Sequence, residues 1–415
     1  MSKREVVVTG LGVVTPIASE LERFWDGIKN GQSGIAQVTG MADIDQYPVT
    51  IGGEIRDLDI EKYIDRKEAR KMDPFTVWGM AAATMAVEDS GLDTATLDLD
   101  RVGVLASSGI GGMQFLQTQC IRAVDGGPRR ISPQLIPQMI TNILAGYVAI
   151  KYGFCGPNFC VTSACASGTH SIGESMRMIQ YGDADVMVAG GAEASIAMLG
   201  VGGFAALRAT SRRNDDPQGA SRPFDRDRDG FVMSEGAGII VLEEKQHALK
   251  RGARIYCNAA GYGRTCDAYH ITAPAVEAVQ AGRGMSLAMA DAQLNPEDID
   301  YINAHGTSTP YNDKAETVAI KKALGAHAYK VPVVSNKGNF GHLIHAAGAL
   351  EGALAVQTLR HGIIPPTINY ETPDPNCDLD YVPNVAREQQ VKVILKNSFG
   401  FGGMNVSVVY RSYEG

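Results

Sequence analysis

The residues able to do chemistry in this 415-residue chain fall in four short segments, each supplying a different kind of group. Cys165 stands in T-S-A-C-A-S-G, between a β-like run and an amphipathic helix. A thiol at a helix N-terminus faces the positive end of the dipole and unpaired N–H groups, which lower its pKa and favour the nucleophilic thiolate. Ala166, Ser167 and Gly168 are small and leave room for a ligand beside it. Cys155 and Cys160 have no such setting and read as structural. His305 lies in N-A-H-G-T-S-T-P, directly after the strand-like Asp300-Tyr301-Ile302, where strand ends of α/β folds present site residues. Flanked by Gly306 and hydroxyl residues, its imidazole can offer an N–H to a ligand oxygen, although a lone histidine is more often structural. The third segment, S-N-K-G-N-F-G-H-L-I-H-A-A-G, holds Lys337, His342 and His345. Gly338 and Gly341 predict a turn after which His342 opens a helix, whose dipole keeps the imidazole neutral and an N–H donor. His342 and His345 on one helix face, with His305, form an alternative set of metal ligands. No carboxylate stands at a metalloenzyme spacing, so no metal is expected. The last segment, N-S-F-G-F-G-G-M-N at 397–405, is a glycine turn able to aim backbone N–H groups at an oxyanion, with Phe399 and Phe401 excluding water. Glycine content alone makes it a tight structural turn.

These segments need strands and helices to hold them. Runs rich in valine and isoleucine at 6–14, 101–106, 184–191, 238–243, 331–335 and 393–397 read as buried strands, with helix-like stretches between many of them, which predicts α/β layers. The stretch 75–90 carries Val77, Met80, Ala81 and Val87 on one face and stops at Gly91, as a helix does. A weak internal repeat is also visible. F-C-V-T-S leads to Cys165, a helix with Ile172, Met176 and Ile179 on one face, and Tyr181-Gly182. V-P-V-V-S leads to Lys337, Gly341 and His342, a helix through Leu350, Leu354 and Val356, and His361-Gly362. A duplicated α/β unit with facing helix N-termini would bring Cys165 and His342 to one centre. The polar stretch Lys250-Arg251-Gly252 divides the chain into halves 1–250 and 251–415.

Composition narrows the function. With 45% hydrophobic and 20% charged residues the chain is globular, and its net charge of -8 argues against a nucleic-acid binder. Seven scattered cysteines without a C-x-x-C pair fit a reducing compartment. Lys3 and Arg4 precede an apolar run cut short at Thr9 and Gly10, so no secretion signal is expected. The most apolar region, Ala184 to Leu207, is broken by Asp185, Glu193 and glycines, so no membrane span is expected and the location reads as cytoplasmic. No glycine motif for a dinucleotide or for ATP follows a strand.

Taken in order, the four segments closely resemble the β-ketoacyl-acyl-carrier-protein synthases, above all the elongating type II synthases of fatty-acid synthesis. The resemblance runs nearly end to end and includes V-V-V-T-G-L-G-V-V-T-P at the start, R-K-E-A-R-K-M-D at 66–73, G-D-A-D-V-M-V-A-G-G-A-E at 182–193 and S-R-P-F-D-R-D-R-D-G-F-V at 221–232. It implies the thiolase fold, a duplicated α/β unit in five layers, usually as a homodimer. It makes Cys165 the acyl-accepting nucleophile and His305 and His342 the pair that handles malonyl decarboxylation. Lys337 becomes the charged support of His342, and Glu316 a carboxylate that organises the site with that lysine. The oxyanion hole is implied to be the backbone N–H groups of Cys165 and Phe401, with Phe401 also a gate. Ile110 matches a position lining the acyl pocket across the dimer interface. The implied partner is an acidic acyl carrier protein bearing substrate on phosphopantetheine, docked on Lys67, Arg70, Lys71, Arg129, Arg130 and Arg208. No cofactor is implied.

Three residues depart from the family pattern: Phe340 in the lysine loop, His345 in place of a glycine, and Met404 in place of a threonine after the gate. They are expected to reshape the acyl pocket or the gate, which leaves a specialised polyketide or polyene ketosynthase, alone or paired with a chain-length partner, as the alternative within the class. A coenzyme A thiolase would need a second cysteine near the C-terminus, and none follows Cys377. A non-catalytic scaffold would not need Cys165, His305, Lys337 and His342 together.

Overall fold

A computed structural model describes residues 3–415. Nine strands form one sheet: β1 (Val6–Val14), β2 (Val102–Ser107), β3 (Val186–Glu193), β4 (Gly236–Glu244), β5 (Cys257–Cys266), β6 (Tyr301–Asn303), β7 (Val333–Val334), β8 (Val393–Gly400) and β9 (Met404–Ser412). Their spatial order is β2-β3-β4-β1-β5-β9-β8-β6-β7. The order contains a duplication. In the first half β1 pairs antiparallel with β4, β4 antiparallel with β3, and β3 parallel with β2. In the second half β5 pairs antiparallel with β9, β9 antiparallel with β8, and β8 parallel with β6. The halves meet through β1 and β5, where only Val7 and Val8 pair with Asn258 and Cys257.

Six helices complete five layers: α1 (Pro74–Ser90), α2 (Ile143–Tyr152), α3 (Ser167–Tyr181), α4 (Val279–Asp291), α5 (Pro310–Leu324) and α6 (Ala347–His361). Strand alternation shows why both sheet faces need cover. Ile239 and Val241 of β4 pack under α1 and α2, whereas Ile240 and Leu242 face α3 and α6. Leu395 of β8 lies under α4 and α5, and Ile394 faces the middle layer. Asp73 caps α1 by accepting the Phe75 amide, Pro74 opens it, and left-handed Gly91 (φ 64°) ends it.

The middle helices are the two copies of the repeat. Each is 15 residues long and ends on a left-handed glycine, Gly182 or Gly362. They touch through their second residues: a Cβ on Gly168 would lie 2.8 Å from the Ala349 amide nitrogen, and one on Gly348 would lie 2.7 Å from that of Thr169. That reciprocity fixes the register of the repeat. Cys165 and His345 each stand two residues before a helix begins, after Ala164 (φ 49°) and Ile344 (φ 47°). The counterpart of Cys165 is therefore His345 rather than His342. The expected strand F-C-V-T-S does not form. Only Asn158 bridges β2, at Val104, and Phe159 is left exposed, because an edge segment with one partner lacks a second ladder.

Candidate active site

Cys165 occupies a tight elbow tied at its base. The Ser163 amide donates to Ser167 Oγ at 2.7 Å, and that hydroxyl donates to the Ala164 carbonyl at 2.6 Å. Left-handed backbone at a non-glycine residue costs about 1 to 3 kcal/mol, and Ala164, Ser308 and Ile344 all adopt it beside reactive segments. The thiol borders a cavity of about 320 Å³ that His305, His342, Phe399 and Phe401 also line. β8 ends against the elbow, so that a Cβ on Gly400 would lie 3.4 Å from the Cys165 amide nitrogen, which brings the Cys165 and Phe401 backbones together.

The two imidazoles stand edge to face with ring centres 5.4 Å apart, and Phe399 packs 5.8 Å from His305. His305 is held through its backbone. Its amide and that of Gly306 donate to the Glu316 carboxylate at 2.8 and 2.7 Å, and Lys337 Nζ donates to its carbonyl at 2.5 Å. His342 is pinned beside the segment 232–234, donating its amide to the Val232 carbonyl at 2.7 Å and accepting from the Ser234 amide at 3.0 Å. His305 Nδ1 and both ring nitrogens of His342 have no partner among the described residues. Burial holds both imidazoles well below the ordinary histidine value, with the Lys337 ammonium pushing the same way, so both are neutral.

Several sequence expectations need correcting. His342 does not open a helix: α6 begins at Ala347, and burial, not a dipole, keeps the ring neutral. The Cys165 thiol is not lowered. Burial pushes it up to about 12, Lys337 opposing, and the helix begins only beyond it, at Ser167. Lys337 acts on His342 through its charge, without a direct hydrogen bond, while its ammonium donates to the His305 carbonyl and pairs with Glu351. Glu316 instead serves the loop amides, and burial raises it to about 7. Phe340 is fully buried 6.2 Å from Phe24, away from the cavity. Met404 opens β9 and packs on the middle core without lining the cavity. Ile110 sits half-buried after β2, its amide on Ser108 Oγ at 3.2 Å. His345 turns away as a metal ligand would not, its Nε2 lying 3.0 Å from Ser107 Oγ.

Lys67, Arg70, Lys71, Arg129, Arg130 and Arg208 are all exposed, and Arg208 borders the cavity mouth. Sequence reasoning missed Phe204, Phe231 and Ile344 in the cavity wall, where Phe231 packs edge-on against His342 at 5.4 Å. It also missed Glu351 and Lys396, fully buried and paired at 2.6 Å. A lysine inside the apolar run V-I-L-K-N and a glutamate inside an alanine-rich helix were the available signals.

An elbow thiol sharing a small cavity with two neutral imidazoles, in a duplicated five-layer fold, defines a condensing enzyme of the acyltransferase class. The chain belongs to the β-ketoacyl synthase family: residues 3–248 match the beta-ketoacyl synthase N-terminal domain and residues 256–371 the C-terminal domain. It is 49% identical to the 3-oxoacyl-[acyl-carrier-protein] synthase 2 of Synechocystis sp. (strain ATCC 27184 / PCC 6803 / Kazusa), over 100% of this chain and 99% of that one. Among solved structures it is similar to a ketosynthase described as bound to the hexaketide in complex with its type II polyketide acyl-carrier protein (TM-score 0.92, 36% identity, 99% of this chain and 100% of that one). The ishigamide ketosynthase/chain length factor is comparably similar (TM-score 0.93, 34% identity, the same shares). No helix among the described residues is long and apolar enough to cross a membrane.

Proposed function

We propose that the protein condenses an acyl group held on Cys165 with malonyl-acyl-carrier protein, releasing carbon dioxide and 3-oxoacyl-acyl-carrier protein, in fatty-acid elongation. The observation that carries this reading is the meeting of the Cys165 thiol with uncharged His305 and His342 in one cavity. The Cys165 sulfur adds to the acyl thioester carbonyl while the backbone N–H groups of Cys165 and Phe401 donate to the developing oxyanion. The bond to the carrier sulfur then breaks, and the carrier thiol leaves with the proton that Cys165 gives up. In malonyl carrier the bond to the carboxylate breaks, carbon dioxide departs, and the electron pair remains as an enolate whose oxygen accepts N–H bonds from His305 and His342. Its carbon attacks the acyl carbonyl, the C–C bond forms, the bond to the Cys165 sulfur breaks with its electron pair, and that sulfur takes a proton from water to restore the thiol. Lys337 and Glu316 set the His305 loop from either side, and no metal or organic cofactor takes part.

The carrier docks on the exposed Lys67, Arg70, Lys71, Arg129, Arg130 and Arg208, a basic surface on an acidic protein. A second copy covers the exposed apolar side chains Ile121, Val124, Ile131, Ile136 and Phe159, making a homodimer in which Ile110 limits the acyl chain. Free thiols at all seven cysteines support a cytoplasmic location. A polyketide or polyene pathway, with a chain-length partner in place of the second copy, is the alternative favoured by the structural likeness to such ketosynthases. The test is intact-protein mass spectrometry with a panel of acyl carriers, followed by malonyl carrier. One acyl adduct consumed by malonyl carrier is expected, and the chain lengths accepted separate the two pathways. An adduct that malonyl carrier leaves untouched would sink the condensation.

A further inference from the structure

One buried charge belongs to none of these steps. Lys396 lies within β8, wholly buried. An ammonium withdrawn from water persists only where acceptors replace its hydration. Three do so here: Glu351 Oε2 at 2.6 Å, the Asn397 carbonyl, and Ser398 Oγ at 2.9 Å. Ser398 in turn bonds Thr169 Oγ1 at 2.8 Å, in the first turn of the helix that follows Cys165. The network therefore joins α6, α3 and the strand that carries Phe399.

Lys337 takes the other oxygen of Glu351, so two ammonium groups share one carboxylate. The next carboxylate, Glu316, is occupied by the amides of His305 and Gly306. Burial raises Glu316 to about 7, so at neutral pH it offsets only part of the remaining charge, and both ammonium groups act on the two imidazoles. The use of that charge becomes clear once substrate is considered. A malonyl carboxylate entering the cavity brings a negative charge that favours imidazolium, and an imidazolium would both pin that carboxylate and hand its proton to the carbanion.

We infer that Lys396 is a positioning residue of the condensation: with Lys337 it supplies the positive field that keeps His305 and His342 neutral while malonate is bound. The inference rests on the site reading above. Burial pushes Lys396 down to about 8, with Glu351 opposing and Lys337 adding to the fall, so it is mostly charged at neutral pH. The charged and titratable groups around it are Glu351 on α6, Lys337 on the turn before His342, Glu316 on α5, and the two histidines.

The test compares Lys396→Met, which keeps length without charge, and Lys396→Gln, which keeps a hydrogen-bond donor. Each protein is acylated on Cys165 and mixed with malonyl-acyl-carrier protein in a single turnover from pH 5.5 to 8.5. Both variants should show an acid limb moved upward, so that the rate at pH 6 relative to pH 8 falls roughly tenfold below the wild-type ratio. An unchanged pH profile at a lower rate would reduce Lys396 to a structural role, and a shift in the Met but not the Gln variant would put hydrogen bonding in place of charge; either overturns the inference. If neither variant folds, nitrogen-15 spectra of the wild-type histidines decide. The imidazoles of His305 and His342 must shift as Lys396 loses its proton near pH 8, and silence there overturns the inference. Failure of the site reading looks different: the wild-type protein would not acylate Cys165 or would release no carbon dioxide.

Discussion

Cys165 and His345 occupy the same place in two copies of one backbone device, yet only Cys165 meets open space. Both follow a left-handed residue, and both lead into a helix whose second residue is a glycine packed on the other helix. Around Cys165 the second half of the chain supplies His305, Phe399 and Phe401 at the ends of β6 and β8. Around His345 the first half supplies the ends of β2 and β3, and these close on the ring. Ser107 Oγ meets Nε2, and a Cβ on Gly191 would come within 2.3 Å of the imidazole. Glu193, at the end of β3, is sealed in by Ser108 Oγ at 2.7 Å and the Gly109 amide at 3.1 Å. A backbone elbow thus presents a side chain without making it reactive. Reactivity comes from what the facing strand ends leave empty.

The contrast can be broken most sharply at the nucleophile. Cys165→Ala should lose the acyl adduct entirely by intact mass, and a surviving stoichiometric adduct would move the nucleophile elsewhere. His305→Ala and His342→Ala should each cost about 10²-fold to 10³-fold in malonyl decarboxylation, because each removes a donor to the enolate. Acylation of Cys165 should survive better; equal losses in both half-reactions would mean that the histidines serve only the elbow. The thiol itself offers a third test. Burial holds it as a thiol with a pKa of about 12, so its alkylation by iodoacetamide should rise about tenfold per pH unit between pH 7 and 10. A rate already flat above pH 7 would restore the thiolate expected from the helix end.

The sealed elbow should respond through stability instead. His345→Ala is expected to cost about 1 to 3 kcal/mol by denaturant unfolding while leaving Cys165 able to acylate. Burial holds His345 down to about 3, against about 6.5 in the unfolded chain. Between those values only the unfolded chain takes the proton, so the wild-type protein loses stability through this group as pH falls. The gap between wild type and variant should therefore narrow on acidification, by about 1.4 kcal/mol per unit within that window. A gap that widens would show that the ring is charged in the folded protein.

Layering was legible because β1, β4 and β8 are apolar on both faces and α1 carries its own cap and stop signals. The reactive residues were legible because their glycine-rich turns stand out from such runs. Interactions decided in three dimensions were hidden. Whether a helix end or burial governs the Cys165 thiol depends on how much water the packed chain leaves, which no spacing encodes. The buried partner of Lys337, Glu351, went unnoticed, since a glutamate inside an alanine-rich helix gives no sign in sequence of the lysine it will meet. Phe340 was expected at the pocket from its neighbours in sequence, but a residue two positions from His342 points wherever the turn at Gly341 sends it.

The shared middle layer also bears on how the protein is made. α3 packs on β9 as well as β3, and α6 packs on β4 as well as β8, so neither half can cover its own apolar faces. On the ribosome α3 is complete at Tyr181, but the helix that must lie beside it ends 180 residues later, at His361. At ordinary rates of translation that is a wait of roughly ten to forty seconds. Throughout it the nascent first half carries a naked hydrophobic sheet face, which makes it a natural client for chaperones and a poor candidate for expression as a separate fragment.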